Sequence, residues 1–240
     1  MINKITYILL FAILTSCSDG ASDANKPTNI STEQTLSAPQ NTISAVSYRM
    51  ISTEDGEDDA SLAQGYWQSL TSYPELNGQI KEPVKIKINE AIIKLSKEYS
   101  CETYGDYSFS SDVTFINSEL FSMTYEIMWL CPKMASPDST IGALNYNLLT
   151  GEVIHLESEF ANASAHNDLL LMLSNKLSSQ NKDNKDCPAK DKYSYFYKTK
   201  TSLFFVADVQ QHSDSGCITE IEISKDEMTK YLKAESLLLK

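Results

Sequence analysis

Apolar residues are distributed along this chain in three different ways. Ile5 and the stretch from Tyr7 to Leu14 form an almost unbroken apolar run behind a single cation, Lys4, with Thr6 as the interruption. From Ser18 to Ala45 the only large apolar residues are Ile30, Leu36 and Ile43. From Val46 onward apolar positions alternate with polar ones or recur every three to four residues, the periods of a half-buried strand and of an amphipathic helix.

The alternating segments predict strands at Val46–Ile51, Ser110–Asn117 and Leu120–Leu130, the last two rich in Val, Phe, Tyr, Ile and Trp and separated by a turn at Ser118-Glu119. Ala143–Leu149 and Glu152–Leu156 flank Thr150-Gly151 and predict a hairpin with glycine at a positive-φ position. Tyr193–Tyr197, Ser202–Ala207 and Cys217–Ile223 complete the strands, and the acidic cluster Glu54, Asp55, Glu57, Asp58, Asp59 reads as a loop. Ile88, Ile92, Leu95 and Tyr99 define one stripe of a helix whose Asn89, Glu90, Lys94 and Lys97 face elsewhere. A second helix is predicted from about Ser164 to Leu177 on Leu169, Leu170, Met172, Leu173 and Leu177. Ser224-Lys225-Asp226-Glu227 has the capping-box pattern and predicts a final helix through Met228, Tyr231 and Leu232. The fold class is therefore α+β: an antiparallel or mixed sheet packed by about three helices, in one domain over 46–240.

With 42% hydrophobic and 22% charged residues in 240, the chain can support one folded core. Residues 17–45, almost all Ser, Asp, Ala, Asn, Thr, Gln and Pro, bury too little surface to offset their ordering entropy and read as a flexible stalk. The apolar run before them is shorter than the roughly 20 residues of a membrane span but fits a signal-peptide core. It ends in Leu14-Thr15-Ser16-Cys17, which resembles the lipobox of bacterial lipoprotein precursors. That resemblance implies a signal peptide over 1–16, diacylation of Cys17 and a membrane anchor through several acyl chains, including palmitate-type chains. An ordinary secretory signal with Cys17 as a free thiol is the alternative. Ser18 after the cysteine implies, by resemblance to enterobacterial sorting rules, the outer membrane facing the periplasm.

Four cysteines remain: Cys101, Cys131, Cys187 and Cys217. In an oxidising compartment an even set predicts two disulfides with three possible connectivities. The equal spacing of the two successive pairs favours Cys101–Cys131 and Cys187–Cys217. A four-cysteine zinc site is the competing reading, and it lacks any CxxC pair.

The order of elements from Tyr73 to the C-terminus resembles a family of bacterial extracytoplasmic domains. They occur in the lysozyme-sensing anti-sigma factor and beside the catalytic domain of a peptidoglycan deacetylase. Tyr73-Pro74-Glu75-Leu76, Ile88–Ile92, Ser122–Ile127, Gly216–Ser224 and, most specifically, Asn145-Tyr146-Asn147-Leu148-Leu149-Thr150-Gly151 with Leu156 and Phe160 carry the likeness. Where members often have a Gly-Gly-Ala-His-like loop, this chain has Cys131–Asp138. The resemblance implies a sheet packed by helices, acting as a binding or sensing module of the cell envelope.

The residues themselves point away from catalysis. His155, His166 and His212 show no HxxxH or HExxH spacing, no GxSxG elbow occurs, and the 8 glycines form no phosphate loop, so no cofactor or metal is expected. Glu157/Glu159 and Glu220/Glu222 have the spacing of strand neighbours and read first as solvated sheet positions, second as acid/base pairs. The formal charge of −12 disfavours nucleic acid and anionic lipid and favours a basic protein or cell-wall partner. Three functions fit: a non-enzymatic lipoprotein that binds or inhibits a basic cell-wall hydrolase or toxin, a peptidoglycan-modifying hydrolase, or an outer-membrane assembly factor.

Overall fold

β1 (Val46–Asp55) and β2 (Ser69–Gly78) pair antiparallel over their whole length, from Val46 opposite Gly78 to Asp55 opposite Ser69. The computed structural model describes residues 46–55, 69–98, 105–183, 187, 192–207 and 217–240. Glu54 and Asp55 thus belong to a strand, and the rest of the acidic cluster, with Tyr99, lies outside the described residues.

The sequence pattern predicts no strand at β2, whose centre holds Pro74. β2 meets its other neighbour, β3 (Asp106–Ile116), in parallel and only through Ser69–Thr71. Beyond Thr71 the second edge of β2 is covered by α1 (Glu82–Leu95) instead of a strand. Leu76 N–H donates to Asn89 Oδ1 at 2.8 Å and Asn89 Nδ2 donates back to Leu76 O at 3.0 Å. Backbone groups of alternate residues point to the same edge of a strand. Pro74 N therefore lies on this edge too, away from β1, where a missing donor breaks no ladder bond. Asn89 does not face elsewhere, as helical periodicity suggests; it is the side chain that seals the sheet edge.

β3 continues antiparallel into β4 (Leu120–Leu130), then β5 (Asp138–Asn147) and the short β6 (Glu152–Val153), giving a mixed six-stranded sheet in sequence order. Asn117 Oδ1 accepts from Glu119 N and Leu120 N in the first turn. Gly151, at φ 75°, takes the left-handed position in the second, close to Val84 and Lys87 of α1. Alternation along β4 puts residues of the strand in two different cores. Phe121, Met123 and Ile127 join Val84, Ile88 and Ile92 of α1. Leu120 joins a second core made by α2 (Ala165–Gln180), the C-terminal residues and a separate three-stranded sheet. That sheet is β7 (Tyr193–Lys198), β8 (Ser202–Ala207) and β9 (Glu220–Ser224), all antiparallel.

α2 buries Ala165, Leu169, Leu173 and Leu177, every fourth residue, against the inner face of the small sheet, and its first turn is capped by Asn162 Oδ1. The capping box forms as Ser224 and Glu227 predict, but α3 (Lys225–Met228) lasts a single turn. Tyr231 and Leu232 are then drawn into backbone bonds with Ala161 and Phe160. The architecture is α+β, with nine strands in two sheets among the described residues and three α-helices.

Replacing Asn89 by Ala leaves the N–H and C=O of buried Leu76 without partners at a covered edge. It is expected to cost about 2–3 kcal/mol in urea unfolding; a loss under about 0.5 kcal/mol would show that water replaces the clamp.

Candidate functional site

The small sheet stands on the large one through an edge. Among the described residues β7 pairs only with β8, so the outward backbone groups of Phe196 and Lys198 need other partners. Asn145 Nδ2, on β5, donates to Phe196 O at 2.9 Å, and Lys198 N–H donates to Ser122 Oγ, on β4, at 3.0 Å. Asn145 and Ser122 are direct cross-strand neighbours, so one step of the β4–β5 ladder supplies both bonds. A β-bulge in β3 sets opposite Ser122 not one residue but two. Thr114 Oγ1 donates to Ser122 Oγ at 3.0 Å, and the Phe115 ring lies 4.7 Å from Lys198 Nζ.

Lys198 is fully buried, with Thr199 O at 3.2 Å as its hydrogen-bond acceptor and no carboxylate paired to it among the described residues. Burial, and secondarily the nearby Lys225 charge, hold its amine below the ordinary 10.5. The Phe115 ring offsets part of that cost through its negative π face.

The opposite, outer face of the small sheet carries Tyr195, Tyr197, Phe204, Glu220 and Glu222, over a buried Val206. Tyr197 and Phe204 stack across the β7–β8 ladder with centroids 5.0 Å apart and planes 3° from parallel. Tyr197 Oη donates to Glu220 Oε2 at 2.9 Å, and Ser202 Oγ donates to Glu222 Oε1 at 2.6 Å. Burial, the Glu220 hydrogen bond and surrounding carboxylates push the Tyr197 phenol far up. Burial and the Glu220, Tyr125 and Glu126 charges raise Tyr195.

The residues singled out in the sequence fall in separate places. Cys17, Cys101 and His212 lie outside the described residues. Cys131, at the end of β4, is disulfide-bonded. Cys187 and Cys217 are bonded to one another with Cα atoms 5.6 Å apart, tying the segment after α2 to the approach to β9. Asn181 reinforces that approach by exchanging two hydrogen bonds with the Ile218 backbone. His166 stacks on Phe160 with ring centroids 5.0 Å apart, and His155 precedes the 3₁₀ turn Leu156–Glu159. Glu159 accepts from Ser236 Oγ at 2.5 Å, which fastens the C-terminal segment to that turn. Among the described residues no three His, Cys, Asp or Glu side chains come together as a metal site, and no helix is long and apolar enough to cross a membrane. Between α2 and the small sheet, Leu173, Leu177, Tyr193, Phe205 and Ile221 line a cleft with about 20 Å³ of free volume, room for one water.

No protein-family model matches the sequence, and no curated protein matches it. Two solved structures resemble the chain in three dimensions. One is a member of the DUF3298 family from Bacteroides fragilis, with a TM-score of 0.56, 12% identity and coverage of 81% of this chain and 97% of its own. The other is a DUF3298 family protein from Pseudomonas aeruginosa, with a TM-score of 0.53, 13% identity and coverage of 82% and 97%. This chain has their fold. Both are bacterial members of a family whose name marks a domain of unknown function, and at such identities the likeness carries architecture alone.

Within that fold the run Asn145–Gly151 has a structural role at nearly every position. Asn145 holds β7, Tyr146 packs on Phe121, Asn147 Oδ1 accepts from Leu149 N, Leu148 is buried, Thr150 Oγ1 accepts from Glu152 N, and Gly151 makes the turn. Asn145 and Ser122 of the sheet junction lie in segments that carry the family resemblance, but no sequence pattern pointed to their role there or to Lys198 as a junction residue. A local signal was Lys198 itself, a cation at an inward position of the alternation Tyr193–Lys198.

A buried amine with a lowered pKa binds fewer protons folded than unfolded, so its penalty is full below the folded pKa and is relieved as pH rises toward 10.5. Lys198→Met is therefore expected to be as stable as the wild type or more so at neutral pH, with the difference shrinking toward pH 10.5 in thermal unfolding. A Met variant that is clearly less stable at neutral pH would show that the charge itself is used.

Proposed function

We propose that this chain is a lipid-anchored protein of the bacterial envelope whose folded domain binds a basic protein, such as a lysozyme-like cell-wall hydrolase or a toxin, without catalysing a reaction on it. The observation that carries this reading is the combination of a formal charge of −12 with the exposed carboxylates of Glu220 and Glu222, which are held by neutral hydroxyl donors rather than by lysines. An acidic surface of that kind accelerates encounter with a cationic partner more than it deepens affinity. The lipobox-like Leu14-Thr15-Ser16-Cys17, the polar stretch behind it and the Cys187–Cys217 disulfide support an exported position. The sequence likeness to domains of the lysozyme-sensing anti-sigma factor supports a sensing or inhibitory role. Engagement of Glu159 and Glu222, one from each candidate acidic pair, in hydroxyl hydrogen bonds with Ser236 and Ser202 supports a binding module over a hydrolase.

Two measurements test this. Cys17→Ser, expressed in a bacterial host, is expected to move the protein from the membrane to the soluble periplasmic or culture fraction; unchanged membrane retention would remove the anchor from the reading. The purified folded domain is expected to retain hen lysozyme on a column at low ionic strength and to release it as salt is raised. Failure to retain lysozyme or any other basic envelope hydrolase would overturn the binding reading.

A further inference from the structure

We propose that the outer face of the small sheet, formed by Tyr195, Tyr197, Phe204, Glu220 and Glu222, is the docking surface for an arginine-bearing segment of the basic partner. This rests on the binding function proposed above and assigns it a place.

Several independent features converge on this face. The sheet's inner face is committed to the core with α2, through Phe196, Leu203, Phe205, Ile221 and Ile223. Its β7 edge is fixed by Asn145 and Ser122, so the outer face is a rigid platform. Glu220 and Glu222 are exposed and lie two residues apart, which puts both carboxylates on the same side of β9 at roughly 7 Å spacing.

Each carboxylate accepts one hydroxyl hydrogen bond, on Oε2 of Glu220 and on Oε1 of Glu222. The second oxygen of each is bonded to nothing among the described residues, and neither group forms a salt bridge there. The hydroxyl donors orient the acids without neutralising them. Glu126 of β4 adds a third negative charge close enough to raise the Tyr195 phenol.

The rings decide which cation fits. Tyr195, Tyr197 and Phe204 are each half-buried, presenting aromatic surface beside two oriented carboxylates. A guanidinium group is planar, stacks on such rings and donates in a fork to carboxylate oxygens. An ammonium group gains the charge attraction but neither the stacking nor the fork. Tyr and Arg are also the side chains that concentrate binding energy in protein interfaces. A second copy of this acidic chain, by contrast, would bring like charge against like.

The test compares three forms of the folded domain: wild type, Glu220→Gln/Glu222→Gln, and a control of equal charge change on α1, Glu82→Gln/Glu90→Gln. The probes are hen lysozyme, an oligo-arginine peptide and an oligo-lysine peptide of the same length, by calorimetry at low ionic strength. Both variants change exposed residues isosterically and are expected to melt like the wild type. The face variant is expected to bind lysozyme and oligo-arginine roughly tenfold more weakly, the control within about twofold of wild type, and oligo-arginine is expected to bind the wild type more tightly than oligo-lysine. Equal affinities for the face variant and the control, with lysozyme still bound by wild type, would overturn the docking assignment and leave the binding function standing. No binding of any probe by wild type would overturn both. A concentration-dependent wild-type dimer in sedimentation, lost in the face variant, would put a second copy on this face and overturn the arginine assignment.

Discussion

The backbone edge of β7 is the constraint on which the rest of the structure depends. A strand paired on one side only presents unbonded N–H and C=O groups, and in this chain that edge is pressed into another sheet where water cannot satisfy it. Ser122 and Asn145, both essentially buried, supply the missing partners from one rung of the β4–β5 ladder. The direction and register of β7 follow from that, and with them the placement of β8, β9 and α2. The bulge in β3 is part of the same solution, since it aims Thr114 at Ser122 and Phe115 at Lys198 from adjacent positions. A polar junction built on directional hydrogen bonds specifies one geometry, whereas an apolar contact of the same area would tolerate sliding.

The same device recurs at the other edges. Asn89 seals the free flank of β2 with two hydrogen bonds to Leu76, and Asn181 does the same to Ile218 ahead of β9. The asparagine amide carries both an acceptor and donors, so one side chain mimics the pair of backbone groups that a neighbouring strand would offer. α1 and α2 thereby act as sheet partners as well as hydrophobic lids, and β2 can carry a proline near its centre. Cys187–Cys217 secures the Asn181 region covalently, where polar residues offer little burial.

With both sheets held in this way, the outer face of β7–β9 is left with a composition unusual for a solvated surface: stacked aromatics, oriented carboxylates and no paired cation among the described residues. In a chain of net charge −12 this concentrates negative potential on a rigid, partly apolar platform. Of the carboxylates that spacing offers as pairs, Glu159 accepts from Ser236, Glu220 from Tyr197 and Glu222 from Ser202.

How much of this was legible in the residues alone depends on the range of the interaction that decides each feature. Local periodicity determined most elements: the stripe Ile88, Ile92, the alternation along β3 and β4, the Thr150-Gly151 hairpin and the Ser224–Glu227 capping box all depend on neighbours within a few residues. The α+β class followed from their order, and the shared side of Glu220 and Glu222 followed from strand period two. What sequence could not determine was set by contacts across tens of residues. A strand containing Pro74 is possible because Pro74 N lies on the edge of β2 that no strand pairs there, an edge that Asn89 covers at Leu76. The division into two sheets depends on β7 turning its edge toward Ser122, more than seventy residues earlier. Lys198 is an ordinary cation in a strand pattern until Phe115 and the β4–β5 ladder enclose it. Period and capping are written in local spacing, whereas edge satisfaction is a property of surfaces that only the folded chain brings together.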